Sequence, residues 1–185
     1  AQGYAAKLEL FNTQVRERIE RILDRTGMPP RLLHLEITES AVMEDPEAAR
    51  VVLSRLKSLG LLLSLDDFGT GFSSLSYLTR LPLDILKIDR SFVRDLGETP
   101  QSSAVVSAII ALARALGLRV IAEGVETTEQ MEVLYGLGCH ICQGFLFARP
   151  MPAGQIVTWL NEVVNANGLP RVDDSVNLPP PHLST

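Results

Sequence analysis

Asp66 and Asp67 stand side by side at the end of the oily run "LLLSLDD" (61–67), and "FGTGFSSL" (68–75) follows them with two glycines. Four other apolar runs end in the same way. "LLHLEITE" (32–39) delivers Glu36 and then Glu39, "DILKID" (84–89) delivers Lys87 and Asp89, "RVIAEGV" (119–125) delivers Glu123 with Glu126 just beyond, and "CHICQGFLF" (139–147) carries Gln143. One acid at the end of a strand commonly caps a helix or pairs with a base. Five runs ending alike imply a shared site. Carboxylates crowded at one rim repel one another and stay ionised only beside positive charge. Lys87 supplies a single such charge, and hard divalent cations such as Mg²⁺ or Mn²⁺ would supply the rest. Paired aspartates that hold two metals suit in-line attack of water on a phosphodiester.

Other chemistry is open at the same residues. Lys87 inside "ILKI" (85–88) could pair with the acids, could steady a phosphoryl oxygen, or could form a Schiff base. Surrounding acids raise a lysine pKa, which disfavours the free amine of the third reading. "FGTGFSSL" has the glycines of a phosphate loop but not its Gly-Lys-Ser/Thr, so it reads as a hinged loop beside the acids. "CHIC" (139–142) suggests zinc. Residues three apart on a strand face opposite sides, however, so Cys139 and Cys142 are expected not to converge.

The elements that position these groups alternate. Strands are expected at 32–39, 61–67, 84–89, 119–125 and 139–147. Helices are expected at 5–26, 45–60, 73–78, 102–117, 127–138 and 152–164. Asp45, Pro46 and Gly60 mark the start and end of the second helix. Strands that are apolar nearly end to end are buried on both faces, which predicts an α/β fold with a parallel sheet covered by helices. The alternatives are an open doubly wound sheet and a closed barrel, and no Gly-x-Gly-x-x-Gly follows the first strand. In either case the site lies at the carboxyl ends of the strands.

Length and charge set the remaining bounds. The 185 residues suffice for one domain, and the net charge of −5 argues against a nucleic-acid polyanion as partner. No apolar run is long enough to span a bilayer, and two cysteines make no disulfide scaffold, so the expected location is the cytoplasm. Three segments are expected: an N-terminal helix or linker at 1–26, the strand-bearing portion at 27–167, and a disordered Pro-rich tail at 168–185.

"HLEITES", "LDDFGTGFSSL", "LKIDRSFV", "IAEGVET" and "QGFLFARPMP" together resemble the EAL domain of bacterial signalling proteins, over residues 18 to 164. The resemblance implies a (β/α)8 TIM-barrel-type fold that hydrolyses cyclic di-GMP to pGpG with two Mg²⁺ or Mn²⁺ ions. It implies Glu36, Asp66, Asp67 and Glu123 as metal ligands, with Asp66, Lys87 and Glu123 at the reaction. It also implies Gln143 beside the water, and Glu126 as anchor of the Phe68–Gly69–Thr70–Gly71 loop. Such domains pair through that loop and the helix after it, here Phe72 to Leu81, and they sit beside other signalling domains. The Glu-Ala-Leu signature and the upstream Asn-Leu-Ser-type motif occur nowhere in these residues. Both carry metal ligands in the family, so little turnover is expected from this chain. About five βα units remain, an incomplete barrel. The alternative function is a non-catalytic cyclic di-GMP receptor or a protein-interaction module.

Overall fold

The computed structural model describes residues 15–69 and 75–166. Five short strands form because β-branched and leucine-rich runs alternate with helices that cover them. They are β1 (His34–Thr38), β2 (Leu62–Phe68), β3 (Ile85–Ile88), β4 (Arg119–Glu123) and β5 (Cys142–Gln143). All pairings are parallel and the order is β1-β2-β3-β4-β5, so sequence neighbours are sheet neighbours throughout. This is the sheet of a TIM-barrel-type α/β fold, with five strands among the described residues.

Eight helices are described: α1 (Val15–Thr26), α2 (Glu39–Glu44), α3 (Pro46–Lys57), α4 (Leu75–Leu78), α5 (Arg90–Arg94), α6 (Pro100–Ala115), α7 (Thr128–Gly136) and α8 (Ala153–Ala166). Their starts follow from local chemistry. Asp45 accepts from the Ala48 amide to begin α3, Thr99 accepts from Ser102 to begin α6, and Thr127 with Gln130 forms a capping box on α7. The periodic apolar residues of α3 and α6, among them Leu53, Leu56, Val106 and Ile110, pack with Leu63, Leu65, Leu86 and Ile88 of the strands in one core. Val15, Ile19 and Leu23 of α1 join that core.

The chain divides into two compact units. The first unit holds the sheet, and the described residues 149–166, with α8, belong to the second. No helix among the described residues is long and apolar enough to cross a membrane. Residues 5–14 of the first expected helix, loop residues Thr70 and Gly71, and the expected tail at 168–185 lie outside the described residues.

Two differences from the sequence expectation have clear causes. The helices α2 and α5 were not anticipated, because five or six residues are too few to show a helical period. Each is set instead by a cap, with Thr38 accepting from Ala41 and Asp89 from Ser91. The fifth strand is two residues long rather than nine. Gly144 ends it: a Cβ there would lie 2.1 Å from the Val125 carbonyl oxygen, so the backbone can press against β4's exit only as glycine. Leu146 then donates its amide to that same carbonyl, and the chain turns away from the sheet.

Candidate active site at the strand ends

The parallel register carries the charged residues to one end. Thr38 lies beside Asp66, Lys87 beside Ile121, and Glu123 beside Gln143. The alternation of a strand puts Glu36, Asp66, Lys87 and Glu123 on one face. There they meet. The Lys87 ammonium stands 2.8 Å from Glu36 Oε1, 3.1 Å from Asp66 Oδ1 and 2.6 Å from Glu123 Oε1. Lys87 is 3% exposed, whereas Glu36 at 41% and the other two at about half that reach water. The three N–H donors of one lysine therefore face three carboxylates from three strands.

Burial alone would drive the Lys87 proton off. The hydrogen bonds to Glu123 and Glu36, with the charges of Glu123 and Asp66, outweigh it and hold the lysine well above its ordinary value. The acids show the opposite imbalance. Glu123 is raised above the usual carboxylate range, first by burial, against the pull of Lys87 and with the repulsion of Asp66 and Glu36. Asp67 is raised too, by burial and then by Asp66 and Asp89. Three carboxylates facing one ammonium leave the negative charge in excess of the local positive charge.

Asp66 and Asp67 share the rim because β2 is irregular there. Adjacent side chains of a regular strand face opposite ways. The pairing of β2 with β3 slips between Leu65 and Phe68, and Asp67 has φ 55, the left-handed region that aspartate tolerates better than most residues. Phe68 closes the strand as a buried side chain. Gly69, at φ +95, lies so close to the Phe92 ring that a Cβ would sit 2.9 Å from it.

The start of the loop has a partner the sequence did not single out for it. The Gly69 amide donates to Glu39 Oε2 at 2.9 Å, and Glu39 is 2% exposed. Among the described residues no contact ties Glu126 to the loop. Glu126 is exposed, and its backbone amide serves the α7 capping box through Gln130. The first residue of α2 thus holds the described start of the loop at Gly69, while Thr70 and Gly71, the residues Glu126 is expected to anchor, lie outside the described residues. Thr38 was the available signal, since a cap at that position begins a helix at Glu39 and turns this acid inward under the loop.

Gln143 pairs beside Glu123 and is exposed. Cys139 and Cys142 depart from the opposite-face expectation, because Cys139 lies in the turn before β5, where strand alternation does not apply. Burial, followed by the neighbouring Cys139, pushes Cys142 up to about 11. Both are free cysteines.

All the donors at the rim are carboxylate oxygens, the type that hard divalent ions take. Their excess charge fits such an ion. Among the described residues, no three acids, histidines or cysteines are arranged around a common point suited to a metal, because the acids close on Lys87 instead. The set therefore fits a cation in charge and donor type, with Lys87 in the central position.

A parallel sheet with acids gathered at the carboxyl ends of its strands is the layout of a TIM-barrel-type protein, whose sites lie at that rim. The family model for the EAL domain matches residues 7–150, and the chain belongs to that family. It is 47% identical over 150 residues to the bifunctional diguanylate cyclase/cyclic di-GMP phosphodiesterase MucR of Pseudomonas aeruginosa, covering 81% of this chain and 22% of the relative. The solved MucR phosphodiesterase in complex with c-di-GMP superposes with TM-score 0.78 at 47% identity, over 82% of this chain and 61% of that one. Klebsiella pneumoniae BlrP1, solved with manganese and cyclic di-GMP, matches with TM-score 0.69 at 36% identity, over 76% of this chain and 36% of that one. The chain thus spans about a fifth of the length of MucR.

Proposed function

We propose that these residues form the carboxyl-terminal half of a cyclic di-GMP phosphodiesterase site, one that hydrolyses the cyclic dinucleotide to pGpG. The observation that carries this reading is the Lys87 ammonium of β3 ringed by Glu36, Asp66 and Glu123 from β1, β2 and β4. Glu36, Asp66, Asp67 and Glu123 would hold Mg²⁺ or Mn²⁺, which supplies Lewis-acid activation of water and of the phosphoryl oxygens when bound. Lys87 keeps a fixed positive charge where the phosphodiester's charge develops. Its raised pKa counts against Schiff-base chemistry. Gln143, next to Glu123 in the sheet register, orients the attacking water. Glu39 holds the loop that begins at Gly69. The homodimer would form through the segment after Asp67, where Tyr77 of α4 is exposed. The much greater length of the relatives supports further signalling domains in the parent protein, acting in the cytoplasm.

These residues do not include the Glu-Ala-Leu and Asn metal ligands, so the chain alone turns over slowly. The test is chromatographic detection of pGpG from cyclic di-GMP with Mn²⁺. The parent protein, or this chain joined to a Glu-Ala-Leu-containing front segment, should produce it, and this chain alone should produce little. No turnover in the completed protein would overturn the reading, and rapid turnover by the chain alone would overturn the assignment of impairment. The closure of the acids on Lys87, without a metal-shaped group among the described residues, favours a second reading as a nucleotide receptor. Calorimetry separates the two, because a receptor binds cyclic di-GMP in EDTA.

A further inference from the structure

The opposite end of the sheet carries a feature that phosphodiester chemistry does not use. A cavity of about 340 Å³ opens between the turn that leads into β4 and the turn that leads into β5. Ile110, Leu118, Val120 and Ile141 give it an apolar wall, and Arg114 and His140 give it polar groups. Arg119 opens β4, but strand alternation puts its side chain on the Glu123 face, away from Val120.

The two turns are built alike. After α6, Gly117 donates to the Arg114 carbonyl and Leu118 to the Ala113 carbonyl. After α7, Gly138 donates to Tyr135 and Cys139 to Leu134. Each is a Schellman turn with a left-handed glycine, φ +70 at Gly117 and +88 at Gly138. These backbone bonds already satisfy the last carbonyls of both helices, so Arg114 is not needed to cap them.

The Arg114 guanidinium lies across the second turn, where a Cβ on Gly138 would come 2.5 Å from Nη2. Only a glycine lets it rest there. Its donors meet no carboxylate among the described residues. His140 is held beside the cavity by an edge-to-face contact with the Tyr135 ring, centroids 4.6 Å apart. A planar cation resting against a neighbouring turn, beside an aliphatic cleft and with no carboxylate partner among the described residues, suits a planar anion attached to an apolar body.

We infer that this cleft is a second binding site, for a small amphipathic carboxylate, with Arg114 gripping the carboxylate and Ile110, Leu118, Val120 and Ile141 taking the apolar part. The site is separate from the acid rim. It is reached from the amino ends of β4 and β5, whereas Glu123 and Gln143 lie at their carboxyl ends.

The test is amide chemical-shift titration of the full chain with benzoate in EDTA, which silences any metal at the acid rim. Saturable shifts centred on Gly117, Gly138 and Ile141 are expected by about 20 mM. Benzyl alcohol, which keeps the ring and loses the charge, should bind about tenfold more weakly, as should benzoate to Arg114→Gln, because each removes a charge-assisted pair. Shifts confined to the acid rim, no shifts at all, or equal response to benzoate and benzyl alcohol would each overturn the proposal. The benzyl alcohol comparison uses the unaltered chain and stands even if Arg114→Gln fails to fold.

Discussion

Lys57 and Lys87 hold opposite ends of the same sheet, and they are partnered in opposite ways. Lys57 pairs with the carboxylate of Asp84 and donates to the Leu61 carbonyl at 3.3 Å, while Asp84 also accepts the Leu63 amide at 2.8 Å. In this pair one cation meets one anion, and backbone groups take up the remaining bonds. Lys87 instead faces three carboxylates, with Asp67 and Asp89 close behind. The Lys57–Asp84 pair is balanced and fastens the amino ends of β2 and β3 to α3. The carboxyl end is left unbalanced, and the imbalance is what would draw a cation or a phosphate-bearing ligand with its counterions. A fold that can satisfy a lysine as completely as it does Lys57 has not done so at Lys87, and that contrast marks the functional end.

Removing each lysine tests the contrast most directly. Lys87→Met leaves three acids gathered round an apolar side chain, and the expected loss in metal-free buffer is about 3 kcal/mol, the usual cost of stripping one partner from a buried charge cluster. Lys57→Met breaks a half-exposed pair and should lose about 1 kcal/mol. Urea denaturation of both variants measures the difference. Equal losses would erase the distinction between the two ends.

Glu39 sharpens the comparison, because it belongs to the acid rim in sequence and behaves like a fastening in structure. Its carboxylate is buried and its described partner is the Gly69 amide. Glu39→Ala should cost about 2 kcal/mol, since it removes a charged hydrogen bond at a buried site. Unlike Lys87→Met, its loss should be insensitive to added Mn²⁺. Recovery of stability on adding Mn²⁺ to Glu39→Ala would place this acid among the ion-binding groups instead.

Much of this was legible in the sequence, and what was not has physical reasons. The five apolar runs gave the parallel sheet because strands buried on both faces show themselves as near-continuous hydrophobic stretches. The acids at their ends gave the rim because strand parity and strand direction are enough to bring Glu36, Asp66, Lys87 and Glu123 together. The length of β5 was not legible. It is set by a contact between Gly144 and Val125, and nothing in "CHICQGFLF" records how close a distant backbone comes. The contact of Glu39 with Gly69 was not legible for a similar reason. Glu39 and Glu126 both follow a strand by a few residues, and only the short helix begun by Thr38 turns one of them beneath Gly69.

The two thiols at β5 give the smallest and most local test, because Cys139 belongs to the turn at the amino end and Cys142 begins the strand that leads to Gln143. Cys139 is buried, and its thiol is raised by burial against the hydrogen bonds it shares with Ile141 and Ala122. Cys142 is half-buried and stands at about 11. Alkylation needs the thiolate, so at pH 8 roughly 0.1% of Cys142 is reactive, against roughly a quarter of an ordinary exposed thiol. Iodoacetamide should therefore modify Cys142 about 250-fold slower than free cysteine at pH 8, with the rate rising tenfold per pH unit toward 11, and Cys139 should follow only on unfolding. Mass spectrometry of timed samples reads both sites. Rapid labelling of Cys142 at pH 8 would mean that the strand carrying Gln143 opens to solvent, and that the acid rim is looser than the end fastened by Lys57.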